Sequence, residues 1–454
     1  MFFPDETPEL KSSAPLYSCL QPIDIAQHVA DTSADSIYSI SPAQGNKPIK
    51  AMQTEIECFA SKFVDGKNSF NEKRHIPVGI GRYINQRLFN VDNTFAEDPT
   101  YIFWAQYVKE VNELSNCMSV AMRKTTSSFN NKPITSDMLV DQEQINKLFR
   151  ADDGFKFMKT VRGTPAYWEQ TMRDLFSMIR QLGIPTFFTS FSAADRRWTE
   201  IVKCICSQLG RQYDEDMNWT DYCHLINKNV VTATRMFDHR VKCFLRDFLM
   251  SPANPIGKIT DYFHRVEFQA RGWPHLHCLI WIENAPVLDV QSDEAICEFI
   301  DQFITSHTPK EEDDQEMYEL VSHLQTHSKK HSKSCRKGNR ACRFNFPRPP
   351  STRTFIARPL DVTPEEKKIA KEKLTRLWDF ANDPVNSSLN AEQILNLASL
   401  TQDDFEKSIC SVATKNTVYL KRTCSDLWTN NYNPSLLSAW SANIDIQYIL
   451  DAYR

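Results

Sequence analysis

Two β-type runs, "ITDYFHRVEFQ" (259–269) and "HLHCLIWI" (275–282), lie only five residues apart in this chain. So short a connection obliges the two runs to pair as antiparallel neighbours, because a parallel crossover needs a dozen residues or more. Side chains alternate between the faces of a strand, so His275 and His277 share one face while Leu276 and Cys278 share the other. If Ala270–Pro274 form the loop, Gln269 stands opposite His275 and Glu267 opposite His277. That register keeps Pro274, which has no N–H to donate, out of the ladder. It gathers Glu267, Gln269, His275 and His277 on one face. Two neutral imidazoles with a carboxylate or amide oxygen form a three-ligand divalent-ion site with open positions. The spacing also fits two hydrogen-bonded histidines on a half-buried strand, and the hairpin alone leaves both readings open.

Composition narrows the classes. At 454 residues the chain can hold two or three cores. A net charge of −4 gives no whole-molecule nucleic-acid signal, so any such signal is local. Only 11 glycines occur, no G-x-x-x-x-G-K-[ST] is present, and "VGIG" at 78–81 lacks the third glycine of a dinucleotide fingerprint. Nucleotide binding through a P-loop is therefore not expected. The N-terminal "MFFPDETPEL" has neither a basic nor an apolar signal region, and no apolar run reaches membrane-spanning length. Thirteen cysteines without a regular framework fit reduced thiols.

Residues 1–54 read as a flexible arm rich in Ser, Pro, Asp and Ala. Helical spacing begins at Asp98-Pro99, and Thr164-Pro165 opens a further helix that Gly183 closes. A short β-type run (Thr186–Phe191) and a helix carrying Cys204 and Cys206 follow. One long helix is expected over 222–249, before "SPANP". After the hairpin come a helix near Asp293–Thr305, an acidic run at Glu311–Glu316, a polar helical region at Thr363–Ile409 and the strand-like "NIDIQYIL". This order of elements is that of an α+β protein. Trp198, Trp273, Trp428 and Trp440 read as core or loop anchors.

The segment Ser328–Arg358 holds ten Lys and Arg and no Asp or Glu. Around it, His327, His331, Cys335 and Cys342 form H-x3-H-x3-C-x6-C, two imidazoles and two thiolates suited to tetrahedral Zn2+, with His323 as a substitute ligand. Arg336, Lys337, Arg340 and Arg343, with Phe344 and Phe346 interleaved, suit a single-stranded phosphate track with stacking partners. The phenylalanines equally suit anchoring of the segment to a core.

"VEFQARGWPHLHCLIWI" resembles the second motif of the HUH replication-initiator nucleases in the form carried by Helitron-type transposases, E-F-Q-x-R-G-x-P-H-x-H before an apolar strand. "GIPTFFTSFSAADRRW", "CRFNFPRPP", "NNYNPSLLSAWSANIDIQYILDAY", "SKFVDGKNSF" and "DPTYIFWAQY" resemble further segments of those proteins, in the same order. The resemblance spans about residues 55–454. It implies a Helitron helicase-like region with an antiparallel HUH nuclease core. Its layout would be a flexible arm (1–54), a helical N-terminal region (55–160), the first part of the core (161–310), a basic zinc-binding insertion (311–360), and a helical region with the last core strand (361–454). It also implies Mg2+ or Mn2+ at the histidines, single-stranded DNA as partner, a phosphotyrosine-forming strand transfer, a helicase in the full-length protein and residence in the nucleus. The family's paired tyrosine nucleophiles are expected beyond Arg454, since the chain reads "DIQYILDAYR" to its last residue. Tyr453 matches the motif rather than the pair and is a weak nucleophile candidate. This suggests a fragment lacking its nucleophiles and helicase; the alternative is a catalytically silent, transposon-derived DNA-binding module.

Overall fold

Asp98 and Thr164 begin two helices in the way their sequences suggest. The Asp98 carboxylate accepts from the backbone N–H groups of Thr100 and Tyr101, and the Thr164 hydroxyl from that of Tyr167. In both, a proline stands at the first helical position, where no N–H is needed. Gly183 ends the second helix at φ +82°, a left-handed conformation that favours glycine. The structure, a computed structural model, describes residues 55–124, 141, 143, 159–194, 197–268, 272–329, 342 and 344–451.

The helices are α1 (Glu55–Cys58), α2 (Ile80–Leu88), α3 (Pro99–Lys124), α4 (Pro165–Leu182), α5 (Thr199–Gln208), α6 (Trp219–Lys228), α7 (Val230–Cys243), α8 (Asp293–Phe303), α9 (Gln315–Leu320), α10 (Pro364–Ala381), α11 (Ala391–Leu397), α12 (Gln402–Val412) and α13 (Pro434–Trp440). The strands are β1 (Phe187–Ser192), β2 (Ile259–Phe268), β3 (Pro274–Ile282), β4 (Phe355–Ala357), β5 (Thr417–Tyr419) and β6 (Ile444–Tyr448). The long helix expected over 222–249 is divided. Asn229 caps the end of α6, its side-chain amide donating to the Leu225 carbonyl, and α7 passes into a π-helical turn at Phe244–Leu249. A side chain that bonds its own backbone competes with helix propagation, which places the break at this asparagine.

The chain divides into two compact units. One comprises the described residues of Met1–Gln181 with Ile201–Thr234, the other Leu182–Glu200 with Arg235–Arg454. The first is built on Phe59, Phe63, Tyr83, Ile84, Phe95 and Tyr101. At its centre the fully buried Glu55 accepts from the Tyr83 and Tyr101 hydroxyls, each at 2.7 Å, and from the Phe70 N–H at 2.8 Å. Three donors offset the cost of burying a carboxylate there.

The second unit carries an antiparallel four-stranded sheet in the order β2-β3-β1-β6. One sheet face is apolar: Phe187 and Phe191 on β1, Leu276 and Ile280 on β3, Ile444 and Ile446 on β6, all at most 1% exposed. Phe187 stacks on Phe299 of α8 at 5.9 Å. Phe191 packs edge-on to Phe244 at 5.0 Å and to Trp440 of α13 at 5.4 Å. Trp440 also meets Trp198 at 5.1 Å, and its indole N–H donates to the Ser192 carbonyl at 2.8 Å. The outer edge of β6 is closed by Gln325, whose side-chain amide donates to the Ile444 carbonyl and accepts from its N–H. A further core lies between β4, β5 and α10–α12, around Phe355, Leu377, Ile394, Phe405 and Ile409. Capping boxes Thr363–Glu366, Asn390–Gln393 and Thr401–Asp404 begin its three helices.

Trp440 anchors the end of β1 through both ring packing and a hydrogen bond. Trp440→Ala should lower unfolding stability by about 3–5 kcal/mol, and Trp440→Phe, which keeps most of the ring, by about 1–2 kcal/mol. Equal losses in denaturant titrations would contradict this account of the indole.

Candidate functional site

The polar face of the same sheet is where the two histidines stand. Phe188, Ser190 and Ser192 of β1 point to it. So do His275, His277 and Leu279 of β3, Arg265 and Glu267 of β2, and Asp445 and Gln447 of β6, by the alternation of each strand. The register differs from the expected one by two residues: Glu267 pairs with His275 and Arg265 with His277. Pro274, expected in the loop, pairs with Phe268 as the first residue of β3, a position where a missing N–H is tolerated. A shift of two preserves the face of every side chain, so Glu267 still reaches the histidines.

The His275 and His277 rings lie 4.6 Å apart at 65°. The Ser192 hydroxyl is 3.1 Å from His275 Nδ1, and the Glu267 carboxylate is 3.0 Å from His277 Nε2. Phe188 stacks against the His277 ring at 5.7 Å. His275 is 8% exposed, and the nearly closed setting matters electrically. Burial, and then the neighbouring His277, drives its pKa down to about 4. It is therefore a neutral imidazole at neutral pH, with Nε2 the nitrogen left once Ser192 takes Nδ1. His277 Nδ1 is buried without a hydrogen-bond partner. A buried imidazole nitrogen with nothing to bond is costly in a purely structural histidine.

Of the expected ligands, the structure brings His275, His277 and Glu267 together; Gln269 lies outside the described residues. Among the described residues no group of three or more His, Cys, Asp and Glu side chains is placed to hold a metal ion. The Glu267 carboxylate is instead hydrogen-bonded to His277 Nε2.

Sequence reading passed over Asp445, Ser190, Ser192 and Arg265. Ser190 pairs with His277 on one side and Asp445 on the other, so a single row across the sheet runs Arg265, His277, Ser190, Asp445. Asp445 is held by Asn430 at 3.1 Å and by Gln447, and burial raises its pKa. Nothing local marked it, because its strand partner lies about 255 positions earlier in the chain.

At the second cluster, Cys342 Sγ lies 3.8 Å from His327 Nε2. His327 Nδ1 donates to the Ser328 carbonyl at 2.8 Å, and Nε2 is the nitrogen that faces the sulfur. The imidazole packs 4.8 Å from Phe346 and 6.1 Å from Trp428. Phe346 is thus a buried anchor, while Phe344 is half exposed. His331, Cys335, Arg336, Lys337, Arg340 and Arg343 lie outside the described residues, as does Tyr453.

The depressed His275 pKa has a stability consequence. The unfolded imidazole takes a proton near pH 6.5, the folded one only near 4. The stability that its neutral burial permits is therefore complete above about pH 6.5 and lost as pH falls towards 4, by on the order of 3 kcal/mol. In metal-free protein, His275→Gln should flatten the stability profile over that range. An unaltered profile, read by denaturant midpoints from pH 7 to 4, would contradict the assignment.

A comparison with curated proteins gave no match. Residues 83–280 match the family model described as the Helitron helicase-like domain at N-terminus, a stretch that contains β1, β2 and both histidines of β3. Residues 83–280 are therefore similar to the N-terminal helicase-like domain of Helitron-type proteins.

Proposed function

We propose that the chain handles single-stranded DNA as the HUH-type endonuclease and strand-transferase part of a Helitron-type rolling-circle transposase. The observation that carries this reading is the pair of imidazoles on one face of an interior strand, 4.6 Å apart with a carboxylate against them, within the segment that matches the family. On this reading His275, His277 and Glu267, with Gln269 as the alternative oxygen, hold Mg2+ or Mn2+. The donor chemistry fits: one imidazole is kept neutral by burial and the other has a buried nitrogen without a partner. When bound, the ion supplies a Lewis acid that makes a phosphodiester more electrophilic. Ser192 fixes the His275 ring through Nδ1, and Glu267 fixes His277 through Nε2. Such orientation by neighbouring groups keeps a ligand in one tautomer and one rotamer.

His327, His331, Cys335 and Cys342 are the proposed zinc ligands. Tetrahedral bonds of 2.3 Å to sulfur and about 2.05 Å to nitrogen put the two ligand atoms about 3.6 Å apart, close to the 3.8 Å between Cys342 Sγ and His327 Nε2. Arg336, Lys337, Arg340, Arg343 and Phe344 then form the proposed strand-binding track beside it. Partnership with a helicase and residence in the nucleus go with the same reading.

Fluorescence anisotropy with a labelled single-stranded oligonucleotide tests the first part. Binding should weaken steeply with salt and tighten with Mn2+, and the Mn2+ effect should vanish in His275→Ala and in His277→Ala. Loss of neither, or no binding at all, would overturn the reading. Elemental analysis tests the second: zinc at one per chain should fall to near zero in Cys342→Ser, and zinc retained there would exclude that ligand.

A further inference from the structure

Arg265 stands next to His277 in the ladder and on the same face, one strand towards the sheet edge. Its guanidinium lies 4.7 Å from the Phe263 ring, two residues back on that face, which steadies it against the sheet. Its Nε is buried and has no hydrogen-bond partner. The nearest carboxylate along its own strand, Glu267, gives its oxygen to His277 instead, and among the described residues no carboxylate forms an ion pair with Arg265. Other arginines of this unit do have carboxylate partners: Arg353 is paired with Asp403 and Glu406, Arg358 with Asp289 and Asp293, and Arg240 with Glu200. The charge of Arg265 is felt nearby, since it adds to burial in lowering the pKa of His264.

An arginine half-buried beside two imidazoles, with a donor turned inward and no anion, lacks the partner its fork is shaped for. A phosphodiester is that partner: two non-bridging oxygens accept from two N–H groups in one plane. Arg265 pairs directly with His277 in the ladder, their backbones about 4.8 Å apart by strand spacing, so an anion held by Arg265 lies on the face that carries the imidazoles. We propose that Arg265 is the phosphate-holding residue of this face and seats one phosphodiester of single-stranded DNA beside His275 and His277. This rests on the DNA-handling reading and names a residue which that reading does not use.

The test uses the whole chain and fluorescein-labelled oligothymidylate, in metal-free buffer across a salt series. Arg265→Gln should weaken binding about tenfold and reduce the slope of log affinity against log salt by about 0.7, the value of one phosphate contact on a single strand. Arg265→Lys should keep the slope, because the charge is retained. Arg265→Gln indistinguishable from the parent in both affinity and slope overturns the proposal while leaving the DNA-handling reading in place. A parent chain that binds no oligothymidylate overturns both. A second measurement needs no variant: phenylglyoxal modification of Arg265, mapped by mass spectrometry, should be suppressed by the oligonucleotide, and equal modification with and without it overturns the proposal.

Discussion

Everything on the polar face depends on the antiparallel ladder that joins β2, β3 and β1. Its hydrogen bonds fix which residues stand abreast, and the two-residue period of a strand then fixes which side chains share a face. A slip of one residue in β3 would turn His275 and His277 into the apolar layer and bring Leu276 and Cys278 to the surface. That exchange would bury two imidazoles among Phe244, Phe299 and Trp440, the rings that cover the other face. Burial of large apolar side chains, worth roughly 1.5–3 kcal/mol each, therefore selects the register. The site is a by-product of how the core is packed.

The parity of the hairpin was legible because alternation needs no long-range information, and a two-residue error in the loop left every face unchanged. The loop itself was not legible: Pro274 argued against joining the ladder, yet the first residue of a strand tolerates proline. Helix starts at Asp98-Pro99 and Thr164-Pro165 could be read because a capping side chain and a proline act within one turn. The break at Asn229 could not, since apolar spacing continues across it and a single side-chain bond to Leu225 decides the outcome. Ser190 became a neighbour of His277 through pairing across 87 residues, and Asp445 joined the row through pairing with Ser190 across 255, and no local pattern encodes either.

A polar chain connects the second cluster to the sheet. Arg348 lies over Phe346 at 4.6 Å and donates to Asn430 at 3.0 Å and Asn431 at 2.5 Å. Asn430 in turn donates to the Asp445 carboxylate and to the Ile444 carbonyl. Burial lowers the Arg348 pKa, and the Asp445 charge opposes that shift. His327, Phe346, Arg348, Asn430 and Asp445 are thus one continuous set of contacts within this unit.

We propose that His275 and His277 are ligands of one divalent ion. Pulsed electron paramagnetic resonance of Mn2+ added to the chain reports directly on atoms bonded to the metal. Modulation from two imidazole nitrogens, reduced to one in His275→Ala and absent when both histidines are replaced, is the expected result. Mn2+ with no nitrogen modulation, or modulation unchanged when both histidines are replaced, would contradict it.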